Sequence, residues 1–164
     1  MYTNIRKNKS GYTLLETVVY VSILAVIAVL ALGSIVTMYR AYGKTKIERK
    51  IATSGEVAIE RIVREIRSAT STKINSVFKT HPGTLALSTG ETINLSNGIL
   101  NIQEGSGPVD DLTSDDVSIS NLVFYASTSP NSTLIKIEMT VEAGAGILLK
   151  SRKFYGSAVM RSAY

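Results

Sequence analysis

The pattern of apolar and polar positions divides the chain into three stretches, and the first is almost continuously apolar. Residues 17–39 are 23 consecutive positions without a charged side chain, rich in Val, Ile, Leu and Ala. A helix of that length rises about 35 Å, which is enough to cross the hydrocarbon core of a bilayer. The pattern therefore predicts a membrane-spanning helix over residues 12–39. Gly33 and Ser34 are its expected kink site, because Gly/Ser pairs weaken helices.

The second stretch, residues 40–71, keeps a helical spacing but becomes amphipathic. Its apolar positions recur at intervals of three, four and seven residues, and no proline appears before Pro82. This spacing predicts that the same helix continues and turns one face toward a core. The expected core-facing positions are Ile47, Ile51, Ala58, Ile62, Ile66 and Ala69.

The third stretch, residues 72–164, shifts to Thr, Ser, Asn and Gly with alternating apolar residues. Such alternation is typical of short antiparallel strands joined by turns, and Asn97-Gly98 predicts a type I′ hairpin. We therefore expect an α+β fold in which the long N-terminal α-helix packs on a C-terminal antiparallel β-sheet head. The predicted strands cover residues 84–88, 92–95, 99–103, 118–126, 134–141 and 147–155.

Cysteine and histidine usage excludes most nucleophile and metal chemistry. The 164 residues include no Cys and a single His, His81. A disulfide framework, a thiolate nucleophile and an imidazole metal cluster are therefore excluded. No general base or carboxylate pair stands out elsewhere, so we expect a protein that is not an enzyme and has no resident cofactor.

One acidic segment is a weak candidate for a calcium site. Residues 104–116 carry five carboxylates and no basic residue, and carboxylate oxygens are the ligands that Ca²⁺ prefers. The spacing does not match a calcium-binding helix–loop–helix motif, and a solvated acidic loop is the other interpretation. The candidate ligands are Asp110, Asp111, Asp115 and Asp116.

The basic charge is concentrated near the N-terminus. Arg6, Lys7 and Lys9 supply three of the 18 basic residues, which leaves 15 against 13 acidic residues in the remainder. By the positive-inside rule, the N-terminus stays in the cytoplasm and the remainder lies outside. Residues 40–79 carry ten basic and four acidic residues, which indicates a solvated helix face; nucleic-acid binding there is the less favoured alternative.

Three interpretations of the apolar stretch compete. A cleaved secretory signal has a shorter apolar core followed by a small-x-small site, which residues 31–33 nearly provide. A monomeric single-pass anchor displaying a β-rich binding head fits the length but gives no role to Glu16, a carboxylate at the edge of the span. The third interpretation uses the order of residues 6–16: a basic run, then Ser10-Gly11, then Tyr12 and Glu16.

That order resembles the class III signal of type IV pilins and pseudopilins. The resemblance implies that residues 1–11 are a leader, that a prepilin peptidase cuts between Gly11 and Tyr12, and that the new amine of Tyr12 is methylated. The family usually has Phe where this chain has Tyr12. It also implies that Glu16 pairs with the ammonium of an adjacent subunit, which would set the register of a filament.

The resemblance also implies partners and a location. The partners are other pilin or pseudopilin subunits, the prepilin peptidase, an assembly platform in the membrane and the lipid bilayer. The protein would first reside in the inner or cytoplasmic membrane and later in a periplasmic or cell-surface filament. Segments 59–67, 117–124, 135–141 and 154–158 are similar to the J-type pseudopilins of type II secretion and the W-type minor pilins. This finer similarity implies a minor subunit.

Overall fold

The computed structural model describes residues 11–130 and 132–160. The chain divides into two compact units, with the boundary between Tyr42 and Gly43. The basic residues Arg6, Lys7 and Lys9 and the rest of the predicted leader up to residue 10 lie outside the described residues. In the part that the structure describes, one long helix is followed by seven strands and one short 3-10 turn.

The helix α1 covers Leu14–Ser68 and is 55 residues long. It begins after Thr13, whose hydroxyl accepts a hydrogen bond from the Glu16 amide at 3.3 Å. This Thr-x-x-Glu arrangement is half of a capping box, which satisfies one of the unpaired amides of the first turn. The helix ends three residues before the predicted residue 71.

Hydrogen bonds to the head explain this early end. The amides of Thr70 and Ser71 donate to the hydroxyl of Ser88 at 3.0 and 3.2 Å. Amides that bond to Ser88 cannot donate to carbonyls of the preceding helical turn. The chain therefore leaves the helix and joins the sheet region, where Thr72 forms a bridge to Leu87.

The second half of α1 has the predicted buried face. Its buried residues are Ile51, Gly55, Ala58, Ile62 and Ile66. Buried Ala69 follows the helix, and Ile47 is partly buried against the same core. All six predicted core-facing positions are therefore confirmed, and Gly55 joins them.

The described residues of the head form two antiparallel sheets. The first has the order β1-β2-β3-β4, and the second has the order β5-β6-β7. The strands are β1 Leu85–Ala86, β2 Glu91–Ser96, β3 Ile99–Glu104, β4 Val109–Asp111, β5 Ser118–Ser129, β6 Ser132–Ala143 and β7 Lys150–Val159. Asn97 and Gly98, between β2 and β3, have φ of 52° and 78°, as the predicted type I′ turn requires. The expected α+β fold is confirmed.

The prediction of a strand over residues 147–155 was wrong at its start. Gly144 and Gly146 have φ of 94° and 56°, a region that L-residues with side chains rarely adopt. They turn the chain into a 3-10 helix, η1, over Gly146–Leu148, and β7 begins only at Lys150. The first strand is also shorter than predicted, with Leu85–Ala86 in place of residues 84–88.

Two glycines allow the second half of α1 to approach β7 closely. A Cβ on Gly55 would lie 2.4 Å from the ring of Phe154, and a Cβ on Gly156 would lie 2.9 Å from Ile59 Cγ2. At such distances the neighbouring side chain must shift. The helix therefore packs on the sheet across backbone surfaces, with Phe124, Ile137 and other fully buried side chains completing the core.

Candidate functional site at the start of the helix

The first two turns of α1 bring Tyr12, Glu16 and Tyr20 together. The hydroxyl of Tyr20 donates to Glu16 Oε1 at 3.1 Å. The rings of Tyr12 and Tyr20 meet edge to face, with centroids 6.2 Å apart. Tyr20 therefore contacts both the ring of Tyr12 and the carboxylate of Glu16, and the three side chains form one exposed cluster.

Glu16 is partly exposed, and its position gives it a local role as well. Its amide takes part in the cap with Thr13, and its negative charge lies in the first turn of α1. Unpaired amides make this end of a helix electropositive, so a carboxylate here stabilises the helix. The remaining oxygen positions of Glu16 are open to a cation from another molecule.

Gly11 has no internal packing reason to be glycine. A Cβ built on it would meet nothing within 4 Å, and its φ lies outside the left-handed range. Any demand for a glycine at this position must therefore come from another molecule, such as an enzyme that binds the backbone closely.

The apolar part of α1 leaves its side chains exposed. An 18-residue window has a mean hydropathy of 2.7, and none of it is buried. Tyr39 and Tyr42 are exposed where the apolar stretch ends, as expected for residues at a membrane interface. Of the helices in the described ranges, α1 is the one long and apolar enough to cross a membrane.

Hydroxyl groups within this stretch are satisfied by the helix itself. Ser22 donates to the Val18 carbonyl at 2.7 Å, and Ser34 donates to the Leu30 carbonyl at 3.0 Å. Such bonds make polar side chains compatible with a lipid environment. The helix is continuous through Gly33 and Ser34, and a kink or local melting there stays a prediction.

The calcium candidates are not brought together. Asp110 and Asp111 lie in β4 and not in a loop, and successive residues of a strand point to opposite faces. Asp116 pairs with Lys50 at 2.7 Å. Within residues 11–130 and 132–160, no three acidic or histidine side chains are grouped so that they could hold a metal ion.

The Lys50 contact affects the acidity of Asp116. The hydrogen bond and the positive charge of Lys50 lower the pKa of Asp116 below its usual 3.8, and the charge of Lys46 contributes less. The acidic segment therefore uses one of its carboxylates in a contact with the helix.

Sequence reasoning missed Thr13 and Tyr20. Tyr20 lies four residues after Glu16 and eight after Tyr12, a spacing that places all three on one side of a helix. Thr13 and Glu16 match the capping-box pattern. Both spacings were available as signals.

Comparison with known proteins identifies the same region. Residues 6–37 match a family model described as the prokaryotic N-terminal methylation motif. No curated protein and no solved structure matches the chain. The match includes Gly11, Tyr12, Glu16 and the apolar stretch as far as Thr37. It supports a type IV pilin-like prepilin signal, on a helix that fits a single-pass membrane anchor.

Proposed function

We propose that this protein is a structural subunit of a type IV pilin-like filament, either a pilus or a type II secretion pseudopilus. A prepilin peptidase removes residues 1–11 and methylates the amine of Tyr12, and α1 then packs among the helices of other subunits. One observation carries the proposal: the N-terminal methylation motif lies on an apolar helix whose side chains the protein leaves exposed.

Cleavage creates the charge that Glu16 can bind. The new amine of Tyr12 is a cation at the edge of the apolar stretch, where an unpaired charge is unfavourable. The carboxylate of Glu16 in a neighbouring subunit offsets that cost, because the attraction between the two charges compensates for the free energy of removing them from water. Tyr20 holds Oε1 of Glu16 by a hydrogen bond, which restricts the side chain before assembly. The pair therefore selects one axial position for each new subunit.

We further propose that the subunit is a minor one, similar to J-type pseudopilins and W-type minor pilins. The segments that carry this similarity correspond to the end of α1 and to parts of β5, β6 and β7. They form the packed layer of helix on sheet. Minor subunits of that kind prime filament assembly and cap the filament tip. The head of this protein would therefore lie at the tip.

The test is the mass and N-terminal sequence of the full chain after expression with a prepilin peptidase. We expect a mature chain that begins at methylated Tyr12. Gly11→Val should block cleavage, because its side chain prevents close approach of the enzyme to the backbone. Gly33→Val is the matched control, since a Cβ at either glycine meets nothing within 4 Å.

Other outcomes select the alternatives. A wild-type chain that keeps its first residue, while a known substrate of the same peptidase is cut, would overturn the proposal and favour the monomeric anchor with a binding head. A chain that starts near Gly33 would indicate a secretory signal peptidase. Equal cleavage of Gly11→Val and Gly33→Val would exclude the predicted cleavage site.

A further inference from the structure

The loop between β6 and β7 exposes two large aliphatic side chains. Ile147 is 92% exposed and Leu149 is 54% exposed. They lie on the η1 turn, where the Leu148 and Leu149 amides donate to the carbonyls of Ala145 and Gly146 at 3.1 and 3.2 Å. The turn hydrogen bonds fix the backbone, and the core uses neither side chain, so both are available to another surface.

The loop packs against the first turns of α1 after the unit boundary. A Cβ on Gly43 would lie 4.0 Å from Leu148 Cδ1, and a Cβ on Gly144 would lie 3.1 Å from Ile47 Cδ1. Gly43 follows Arg40, the first charge after the apolar stretch, by three residues, a helical rise of about 5 Å. The loop therefore lies beside Gly43 and Ile47, which follow the apolar stretch closely in the sequence.

Basic residues surround this loop along the chain. Lys44 and Lys46 are exposed on α1 directly after Gly43, and exposed Lys150 and Arg152 follow Leu149 at the start of β7. The neighbouring acidic residues are fewer, and each has a partner: Glu48 lies 3.9 Å from Lys150, Asp116 pairs with Lys50, and Glu142 accepts a hydrogen bond from Ser120. Exposed aliphatic side chains with an excess of basic residues are typical of protein surfaces that bind anionic membranes.

We propose that residues 144–149 contact the bilayer surface while the protein is anchored in the membrane. Ile147 and Leu149 enter the headgroup region, and Lys44, Lys46 and Lys150 face anionic headgroups. The proposal rests on anchoring by α1, but not on cleavage at Gly11 or on incorporation into a filament. The head thus has a second membrane contact, which must be released when a subunit leaves the bilayer.

The chain has no cysteine, so a single cysteine can carry a polarity-sensitive nitrobenzoxadiazole label. The full chain with Ile147→Cys is labelled and reconstituted into vesicles of phosphatidylcholine, with or without phosphatidylglycerol. Ile74→Cys is the matched control, because Ile74 is also a fully exposed isoleucine. Ile74 lies beyond the end of α1 at Ser68. That end is about 37 Å along the helix from Gly43. Ala28→Cys reports insertion of the span.

We expect the Ile147 label to emit at shorter wavelength, and to be quenched several-fold more strongly by headgroup spin-labelled lipids than the Ile74 label. The difference should be larger with phosphatidylglycerol and should fall when Lys44→Gln and Lys150→Gln are added. Equal quenching at both positions, with the Ala28 label deeply buried, would overturn the loop contact. An Ala28 label that emits at the wavelength of a water-exposed dye would overturn the anchoring itself. An Ile147 signal that grows with protein-to-lipid ratio would indicate contact between subunits and overturn the lipid assignment.

Discussion

The two parts of α1 before and after the boundary at Gly43 are one helix with opposite environments. From Gly11 to Tyr42, all within the described residues, no side chain is buried. After Gly43, five residues of α1 are buried under the sheets. The first part is apolar on every side, whereas the second has one apolar face. The second part is therefore buried by its own chain, whereas the first needs an apolar environment from outside, such as a bilayer or, in the filament proposed above, the helices of other subunits.

The largest effect is expected at the contact with other subunits in the proposed filament. Glu16→Gln keeps the size of the side chain and an oxygen that can accept the Tyr20 hydrogen bond, but it removes the charge. Leaving an ammonium unpaired in an apolar environment costs about 3–5 kcal/mol, which corresponds to a loss of about a hundredfold or more in incorporation. The measurement is the ratio of filament-bound to membrane-bound subunit, with cleavage after Gly11 checked by mass.

Tyr20→Phe is the matched control for this variant. It removes the hydrogen bond to Glu16 Oε1 and leaves the charge, so incorporation should fall only a few-fold. If Glu16→Gln assembles as well as the wild type, Glu16 acts only in the helix cap and the first part of α1 needs no charge pair.

The next effect is expected in the core of the head. Ile62 is fully buried, whereas Ile27 is 57% exposed in the apolar stretch. Ile62→Ala should lower the free energy of unfolding of the head by about 2–5 kcal/mol, because it removes buried methyl groups and leaves a cavity. Ile27→Ala should leave it unchanged. Denaturant unfolding of the full chain in detergent, followed by tyrosine fluorescence, measures the free energy of unfolding of both variants. Similar losses of stability in Ile62→Ala and Ile27→Ala would contradict the difference between the two regions.

The fold was predictable where a local sequence pattern determined the structure. The three-and-four spacing of Ile62 and its neighbours predicted the buried face, and Asn97-Gly98 predicted the hairpin between β2 and β3. β4 was missed because its residues, Val109–Asp111, are exposed and aspartate is rare in strands. Pairing with Asn101–Gln103 of β3 forms it nonetheless, and the apolar and polar spacing of the segment itself does not encode this pairing.

The candidate site also rests on a local pattern, and its residue roles stay predictions. Gly11, Tyr12 and Glu16 lie within six residues, so their order alone carried the signal. The exposure of Ile147 was not predictable, because it depends on the positive φ of Gly144 and Gly146. Without those two glycine conformations, alternation along the sequence places Ile147 in a strand.

A smaller effect comes from the same substitution at two glycines of α1. Gly55→Ala should lower the free energy of unfolding of the head by about 1–3 kcal/mol, because the new Cβ meets the Phe154 ring. Gly33→Ala meets nothing within 4 Å and should strengthen the helix by up to about 1 kcal/mol. Combining Gly55→Ala with Phe154→Leu should restore part of the lost stability, and additive losses in that double variant would contradict the proposed clash.

The smallest effect concerns the ion pair of Asp116 with Lys50, which lies on the surface of the head. Because the folded-state pKa of this carboxyl is lowered below 3.8, the pair stabilises the folded state above that pH. The contribution is lost as the pH falls through the lower folded-state value. Asp116→Asn should therefore reduce the unfolding midpoint slightly at about pH 6, and the difference from wild type should vanish at about pH 2 and at high salt. Asp110→Asn, on exposed β4, removes an equal charge without that contact. A difference for Asp116→Asn that persists in acid or at high salt would mean that the carboxyl acts by packing and not by charge.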